Sequence, residues 1–259
     1  MRVTRYEPGT PCWVDMGSPD PAATAEFYRG LFGWDFVDTG PDTGGYQLCT
    51  VRGLPVAGIG SQQEPGPPWW TTYVSVADVD GTTEAVLRAG GQVLAEPLDV
   101  MEIGTMAVFA DPLGATFSAW QPGNMAGAEL VNETGALCWN ELATRDLARS
   151  EAFYHSVFGW AAKTHVYGPT SYTEWHLGGR TIGGMMPMDE RWPADRSPHW
   201  LVYFAVEGTG AAVRRATEHG GAVTVPDTDT PAGKFAVLTD RHGATFAVIT
   251  LAGAATNIA

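Results

Sequence analysis

Two short stretches set an acid beside an indole. Residues 12–16 read CWVDM and residues 138–142 read CWNEL. Side chains alternate along an extended strand, so Trp13 shares a face with Asp15, and Trp139 with Glu141. A carboxylate in apolar surroundings must find partners or take up a proton. It can be structural, held by a backbone amide or by Arg29, Arg52 or Arg145. It can also be functional, as a general base or as an acid that orients a ligand. Both alternatives stand for Asp15 and Glu141, the candidate catalytic residues. The tryptophans divide in the same way, between core and the wall of a pocket for a flat apolar ligand.

The six histidines, His155, His165, His176, His199, His219 and His242, all lie in the second half of the chain. A His-ligated metal is therefore excluded from the first half. His155 falls on a helix, His219 at a helix C-terminus where a cation suits the dipole, and His242 in a turn. His176 and His199 remain as candidate ligand contacts. The strand SYTEWHLGG (171–179) can present either Glu174 and His176, or Trp175 and Leu177, to a pocket.

The balance of charge narrows the partners. The 259 residues carry 15 basic and 29 acidic side chains, a formal net charge of −14. That field repels phosphate backbones and anionic membrane surfaces, so neither nucleic acid nor membrane is an expected partner. The opening MRVTRYEPGT has no apolar run of the signal-peptide kind, and no segment reaches the ~20 apolar residues of a membrane span. Cys12, Cys49 and Cys138 make no disulfide framework. These features predict a soluble cytoplasmic protein with reduced thiols.

The elements that must position the acids are written twice. AEFYRGLFGW (25–34) returns as EAFYHSVFGW (151–160), and Phe27 and Phe153 stand 126 residues apart, as do Cys12 and Cys138. FADPLGATF (109–117) returns as LTDRHGATF (238–246), now 129 apart. The expected organisation is a first domain at 1–122, a Gly-rich linker at 123–135 and a second domain at 136–259. Each half reads as two modules. A strand at 11–18 is followed by Asp20 as helix cap and Pro21 at the first turn. Ala23, Phe27 and Leu31 recur at helical spacing, Gly33 ends the helix, and three strands follow. The same order recurs over 70–120, which gives four βαβββ modules and an α+β fold.

Four βαβββ modules in two pairs resemble the vicinal oxygen chelate superfamily, which embraces glyoxalases, bleomycin resistance proteins and extradiol dioxygenases. The carriers are the D-x6-FY-x3-FGW blocks at Asp20 and Asp146 and the D-x2-GATF blocks at Asp111 and Asp240. They span nearly the whole chain and look most like the tandem-domain actinobacterial branch, some of whose members are labelled hydroxylases. The resemblance implies that each pair of modules curls its sheet into a cup that holds a ligand. It also implies where a catalytic divalent metal would be held. Those positions fall on Trp13, Thr71 and Ser118 in the first half and on Trp139, Leu201 and Ala247 in the second. None of these side chains is a credible ligand set, so no metal and no cofactor are expected.

Strand parity then lines the first cup with Trp13, Thr71, Tyr73, Ser118 and Trp120 around Asp15. It lines the second with Trp139 and Tyr203 around Glu141, joined by His176 or His199. Cys12, Val14 and Met16 are expected on the opposite, helix-facing side. The leading expectation is a small-molecule protein that binds a flat, largely apolar ligand, an aromatic polyketide or antibiotic-like compound, as a monomer or homodimer. Two alternatives stand beside it. One is a metal-dependent lyase, isomerase or dioxygenase with relocated ligands such as Glu141, His176 and His199. The other is a metal-free enzyme with Asp15 or Glu141 as general base.

Overall fold

The computed structural model describes residues 1–40, 43–62, 66–167, 170–190 and 192–252. The tail of the expected second domain, 253–259, lies outside the described residues. The first half runs β1 (Pro11–Ser18), α1 (Pro21–Phe32), β2 (Asp35–Asp38), β3 (Gln47–Val51) and β4 (Leu54–Ser61). It continues with β5 (Trp70–Ser75), α2 (Val79–Arg88), β6 (Gln92–Val100), β7 (Gly104–Ala110) and β8 (Thr116–Pro122). The second half repeats this as β9 (Leu137–Thr144), α3 (Leu147–Phe158), β10 (Ala161–Tyr167), β11 (Thr170–Leu177) and β12 (Arg180–Pro187). Then come β13 (His199–Ala205), α4 (Thr209–Glu218), β14 (Ala222–Thr230), β15 (Gly233–Thr239) and β16 (Thr245–Leu251). The chain is α+β, with four βαβββ modules.

Local chemistry sets the helix ends. Asp20 accepts from the Ala23 amide at 3.0 Å, and Asp146 accepts from the Arg149 amide at 3.0 Å. Gly33 and Gly159 close α1 and α3 in the left-handed region, at φ 73° and 72°. Trp34 sits just ahead of β2 and is fully buried.

Each half forms one eight-stranded sheet, ordered β2-β3-β4-β1-β5-β8-β7-β6 and β10-β11-β12-β9-β13-β16-β15-β14. The two modules of a half meet at the antiparallel pairs β1–β5 and β9–β13, which therefore run through the middle of each sheet. One face of each sheet carries the helices, and the other is the cup. Val14 and Met16 pack on the helix side as expected. Cys12 does not, because a register shift between Pro11 and Trp13 turns it toward Trp13, Tyr73 and Trp120.

The helix faces do not form two separate cores. Val14, Phe27, Tyr28 and Trp34 of the first half share one core with Val202, Phe204, Phe246 and Val248 of the second. Val74, Phe109 and Phe117 share the other with Phe153, Tyr154, Trp160 and Trp175. Polar contacts across this seam are exchanged between the halves. The Trp34 indole N–H donates to the Gly135 carbonyl at 2.6 Å, and Trp160 donates to Gly9 at 2.7 Å. Tyr154 donates to Asp111 at 3.2 Å, while Tyr28 sits beside Asp240. The rings of Phe27 and Phe153 press on Gly221 and Gly91, where a Cβ would come within 2.9 Å of them. The repeated FY, FGW, GG and D-x2-G blocks are thus what each half offers the other.

The segment 123–135 packs closely. The Ala128 amide donates to the Cys12 carbonyl at 2.8 Å, and Glu129 donates to Pro55 at 2.8 Å. Ala128 and Val131 are buried together with Val3 and Tyr6 against Trp13 and Trp120, while Leu130 enters the helix-side core. This wrap closes one end of the first cup.

Candidate functional site

Asp15 lies near the centre of the first sheet, half-buried, opposite Thr71 on β5 and Gly58 on β4. Its partners are tyrosines, not the arginines. The Tyr46 hydroxyl donates to Asp15 Oδ2 at 3.1 Å, and Tyr73 donates to the same oxygen at 2.9 Å. The Trp13 indole N–H donates to the Tyr46 oxygen at 3.1 Å. Arg52 instead pairs with Glu133, Arg145 donates to the Pro193 and Arg196 carbonyls, and Arg29 lies over Phe36.

The second half repeats the chain of bonds. Trp139 donates to the Tyr172 oxygen at 2.7 Å, and Tyr203 donates to Glu141 Oε1 at 3.0 Å. Tyr172 also hydrogen-bonds Glu141. Each cup thus contains a Trp–Tyr–acid–Tyr relay, and the two relays match residue for residue.

Burial sets the charge state. Desolvation pushes Asp15 from its ordinary 3.8 up to about 6, against the opposing pull of the two tyrosine hydrogen bonds. Glu141 is raised for the same reason, with Tyr172 and Tyr203 opposing. Tyr46 and Tyr73 are held well above 10 by burial first and by the Asp15 carboxylate second. Both tyrosines therefore remain proton donors across the neutral range, and both aim at Oδ2. Among the described residues, both hydrogen bonds to the carboxyl fall on Oδ2 and none falls on Oδ1.

A glycine makes the relay possible. Tyr46, just ahead of β3, crosses over β4, and a Cβ on Gly58 would stand 1.8 Å from its hydroxyl oxygen. Gly184 does the same for Tyr172, at 1.9 Å. Gly58→Ala is therefore expected to push Tyr46 off Asp15 and cost about 1–3 kcal/mol of stability. Losing a bond that favours the charged form should raise the Asp15 pKa above 6. A carbon-detected NMR titration of the Asp15 carboxyl reads this, and an unchanged pKa would refute the role given to Gly58.

The expected site residues divide. Trp13, Tyr73 and Trp120 meet at the closed end of the first cup, where the Trp120 indole donates to the Met125 carbonyl at 2.9 Å. Thr71 faces Asp15 across the β1–β5 pair, and Ser118 is buried beside Tyr73 on the neighbouring strand. Trp139, Glu141 and Tyr203 are likewise brought together. His176 and His199 are not part of that group. Trp175 is buried in the core, which turns Tyr172 and Glu174 toward the cup. Glu174 then engages His176 at 3.1 Å and His165 at 3.3 Å near the sheet edge. His199 pairs with Ala143 at the other end of β9, and about 14 Å of sheet, three strand spacings, separates β11 from β13. Glu141, His176 and His199 therefore do not converge as one ligand set.

Tyr46 and Tyr172 were missed from the sequence. Their signal is the offset of 126 that they share with Trp13/Trp139, Asp15/Glu141 and Gly58/Gly184. The superfamily's metal positions do not fit an ion here. The indoles of Trp13 and Trp139 donate to tyrosines, Leu201 and Ala247 have no donor atom, and Thr71 and Ser118 offer only neutral hydroxyls. Among the described residues no trio of His, Cys, Asp or Glu side chains closes around a point where a metal could sit.

Comparison with known proteins agrees with the tandem fold. A family model described as Glyoxalase/Bleomycin resistance protein/Dioxygenase superfamily matches residues 136–248, and one described as Glyoxalase-like domain matches 13–120. A relative from Streptomyces peucetius named anthracycline biosynthesis protein DnrV is 41% identical, covering 96% of each chain. Among solved structures, a Mn(II)-bound glyoxalase from Novosphingobium aromaticivorans aligns with TM-score 0.66 at 16% identity, over 94% of this chain and 82% of that one. The 2,3-dioxygenase LapB from Pseudomonas sp. KL28 aligns with TM-score 0.65 at 15% identity, over 93% and 91%. At such identities the solved structures speak to fold alone.

Proposed function

The chain belongs to the Glyoxalase/Bleomycin resistance protein/Dioxygenase superfamily, as two glyoxalase-like domains in tandem, and we propose that it binds a flat, largely apolar small molecule in its first cup. The ligand class is an aromatic polyketide or antibiotic-like compound, in secondary-metabolite tailoring or resistance. The observation that carries this reading is the state of Asp15. One oxygen is saturated by two phenol hydroxyls, and the other is left open in a half-buried aromatic setting. Oδ1 is then a strong acceptor offered to a ligand hydroxyl, and Tyr46 and Tyr73 fix its direction. The anthracycline biosynthesis relative supports the ligand class. The ill-fitting metal positions support a site that works through its carboxylate.

The test is calorimetric titration with planar hydroxylated aromatics at pH 8. Binding is expected, and Asp15→Asn should weaken it roughly tenfold through loss of one charge-assisted hydrogen bond. No binding across a broad panel of planar aromatics would defeat the reading. A second role follows from the raised Asp15 pKa, since a carboxylate titrating near 6 is suited to proton abstraction. The same mixtures in deuterium oxide distinguish it. A general base at Asp15 exchanges a carbon-bound ligand proton that the Asn variant leaves in place, whereas a binding protein exchanges none.

A further inference from the structure

A cavity of about 320 Å³ lies where the N-terminal segment of the first half meets the turn that joins β11 to β12 of the second. Arg5, Tyr6, Glu7, Thr10 and Arg180 line it. Its volume falls at the lower end of the range for small-molecule sites. Backbone bonds hold the segment in place. The Gly9 amide donates to the Ser75 carbonyl at 2.7 Å, and the Ser75 amide donates to the Thr10 carbonyl at 2.9 Å. Trp160 reaches the Gly9 carbonyl from the other half. Tyr6 and Thr10 are buried and form the floor, while Arg5, Glu7 and Arg180 reach toward solvent. The Tyr6 hydroxyl is spent on the Ala128 carbonyl at 2.7 Å.

Two polar groups of this lining are left over. Arg180 Nη2 donates to Glu7 Oε2 at 2.6 Å, so those two charges match each other. Among the described residues Arg5 makes no ion pair or hydrogen bond. The Thr10 hydroxyl, on a residue 2% exposed, also has no hydrogen-bond partner among them. Buried polar groups are nearly always satisfied, so such a hydroxyl marks a place for a further polar atom.

The repeat supplies an internal comparison. Glu133 pairs with Arg52, from the turn between β3 and β4, as Glu7 pairs with Arg180. The Gly135 amide donates to the Ala205 carbonyl at 2.8 Å, as Gly9 donates to Ser75. A second cavity lies there, and its charged lining is Arg52, Glu133 and Glu207. The sign is reversed. Among the described residues, two cations and one anion line the first cavity, a net charge of +1, whereas one cation and two anions line the second, a net charge of −1. At the offset of 126, Arg5 and Thr10 become Val131 and Ala136, which have no polar side-chain atom. The ion pair is therefore common scaffold, and the extra guanidinium and hydroxyl belong to one side alone. In a chain of net charge −14, that reverses the local field.

We propose that this seam cavity binds a small oxyanion, a carboxylate or phosphate group, through the guanidiniums of Arg5 and Arg180 and the hydroxyl of Thr10. A guanidinium carries five N–H donors in a planar fork that matches either group, and Glu7 uses only part of that of Arg180. Glu7 does not oppose the anion, because its charge is already matched, and the Arg5 charge is the one available. A bound anion ties the N-terminal segment of the first half to a turn of the second, so occupancy stabilises the joined halves.

The test is a titration of the isotope-labelled full chain with propionate and with inorganic phosphate, followed by backbone amide shifts. Ionic strength is kept low and constant, since salt screens exposed guanidiniums. Chloride and neutral propionamide are the controls. Saturable shifts are expected at the amides of Glu7, Thr10 and Arg180, and none at Asn132 and Glu133. The tighter of the two probes identifies the group. Arg5→Gln should weaken binding roughly tenfold and Thr10→Val about threefold, through loss of charge-assisted and neutral hydrogen bonds. Arg52→Gln, at the copied cavity, should leave binding unchanged. Arg5 has no polar partner to lose, so Arg5→Gln should fold, and thermal melts check it. Shifts that fail to saturate, that chloride or propionamide reproduces, or that Arg5→Gln leaves intact overturn the site.

Discussion

Asp15→Asn is expected to raise the unfolding temperature at pH 8, and to leave it unchanged at pH 4. The folded protein holds this carboxyl at about 6, against 3.8 ordinarily, so the folded state binds its proton more tightly than the unfolded chain does. Below pH 4 the proton is present in both states and contributes nothing. As pH rises from about 4 to 6, the unfolded chain releases it first and stability falls. Above 6 the folded state carries a desolvated charge that costs about 3 kcal/mol, at 1.36 kcal/mol per pH unit. Asn keeps the shape and removes the charge. The gain at pH 8 should reach a few kcal/mol, roughly 5–10 °C for a chain of this size, and fade as pH drops through 6. Thermal melts at pH 4 and 8 check it. A variant less stable than the parent at pH 8 would show that the ionised carboxylate has a compensating partner. A residue that weakens its own fold and is retained in both halves as an acid is the pattern expected when a site is held at the expense of stability.

The second large effect concerns the halves. Residues 1–122 alone should not give a cooperatively melting monomer. Cutting the chain there strands Val14, Phe27, Tyr28, Leu31 and Trp34, whose core includes Val202, Phe204 and Phe246 of the other half. It also leaves the Trp34 indole without the Gly135 carbonyl. Two copies of the first half could cover each other's apolar faces, but the seam is not fully symmetric. Thr72 donates to Asn140 at 2.8 Å across it. The first-half counterpart of Asn140 is Val14, so a pair of first halves buries two threonine hydroxyls without that acceptor, at about 1–3 kcal/mol each. Mixing residues 1–122 with 123–259 should therefore restore a one-to-one complex in preference to either homodimer. Size exclusion and circular dichroism decide it, and a cooperative monomeric melt of 1–122 would contradict the shared core.

Much of this architecture could be read in advance because it is local. Asp20 and Asp146 announce their helices, Gly33 and Gly159 end them, and the spacing of 126 aligns the halves. Alternation puts Trp13, Asp15 and Tyr73 on the cup face of the first sheet, and Trp139, Glu141 and Tyr203 on that of the second, because a strand has period two. What failed to show was contact between elements far apart in the chain. Tyr46 reaches Asp15 across an intervening strand, and nothing in its own stretch, GGYQL, says that Gly58 will lie beneath it. The sequence offers a backbone amide or an arginine as the acid's structural partner, yet two phenols with raised pKa values satisfy it without another ion. The FY and FGW blocks were legible as family marks but not as a seam, since their partners sit on the opposite half. Cys12 was misplaced by a single register shift, which inverts a strand's faces wherever it occurs.

The glycine at 60 and the methionine at 186, which stand at matching places in the two sheets, show what joining the halves in one chain permits. In a symmetric pair of identical subunits, each substitution is made twice. A side chain that closes one cup closes both, and one that opens a cup opens its twin. A tandem chain is free of that constraint. The exchanged Trp34–Gly135 and Trp160–Gly9 contacts can stay matched while the two concave faces accumulate changes separately. Duplication thus gives this protein a scaffold under shared constraint and two concave faces with separate histories.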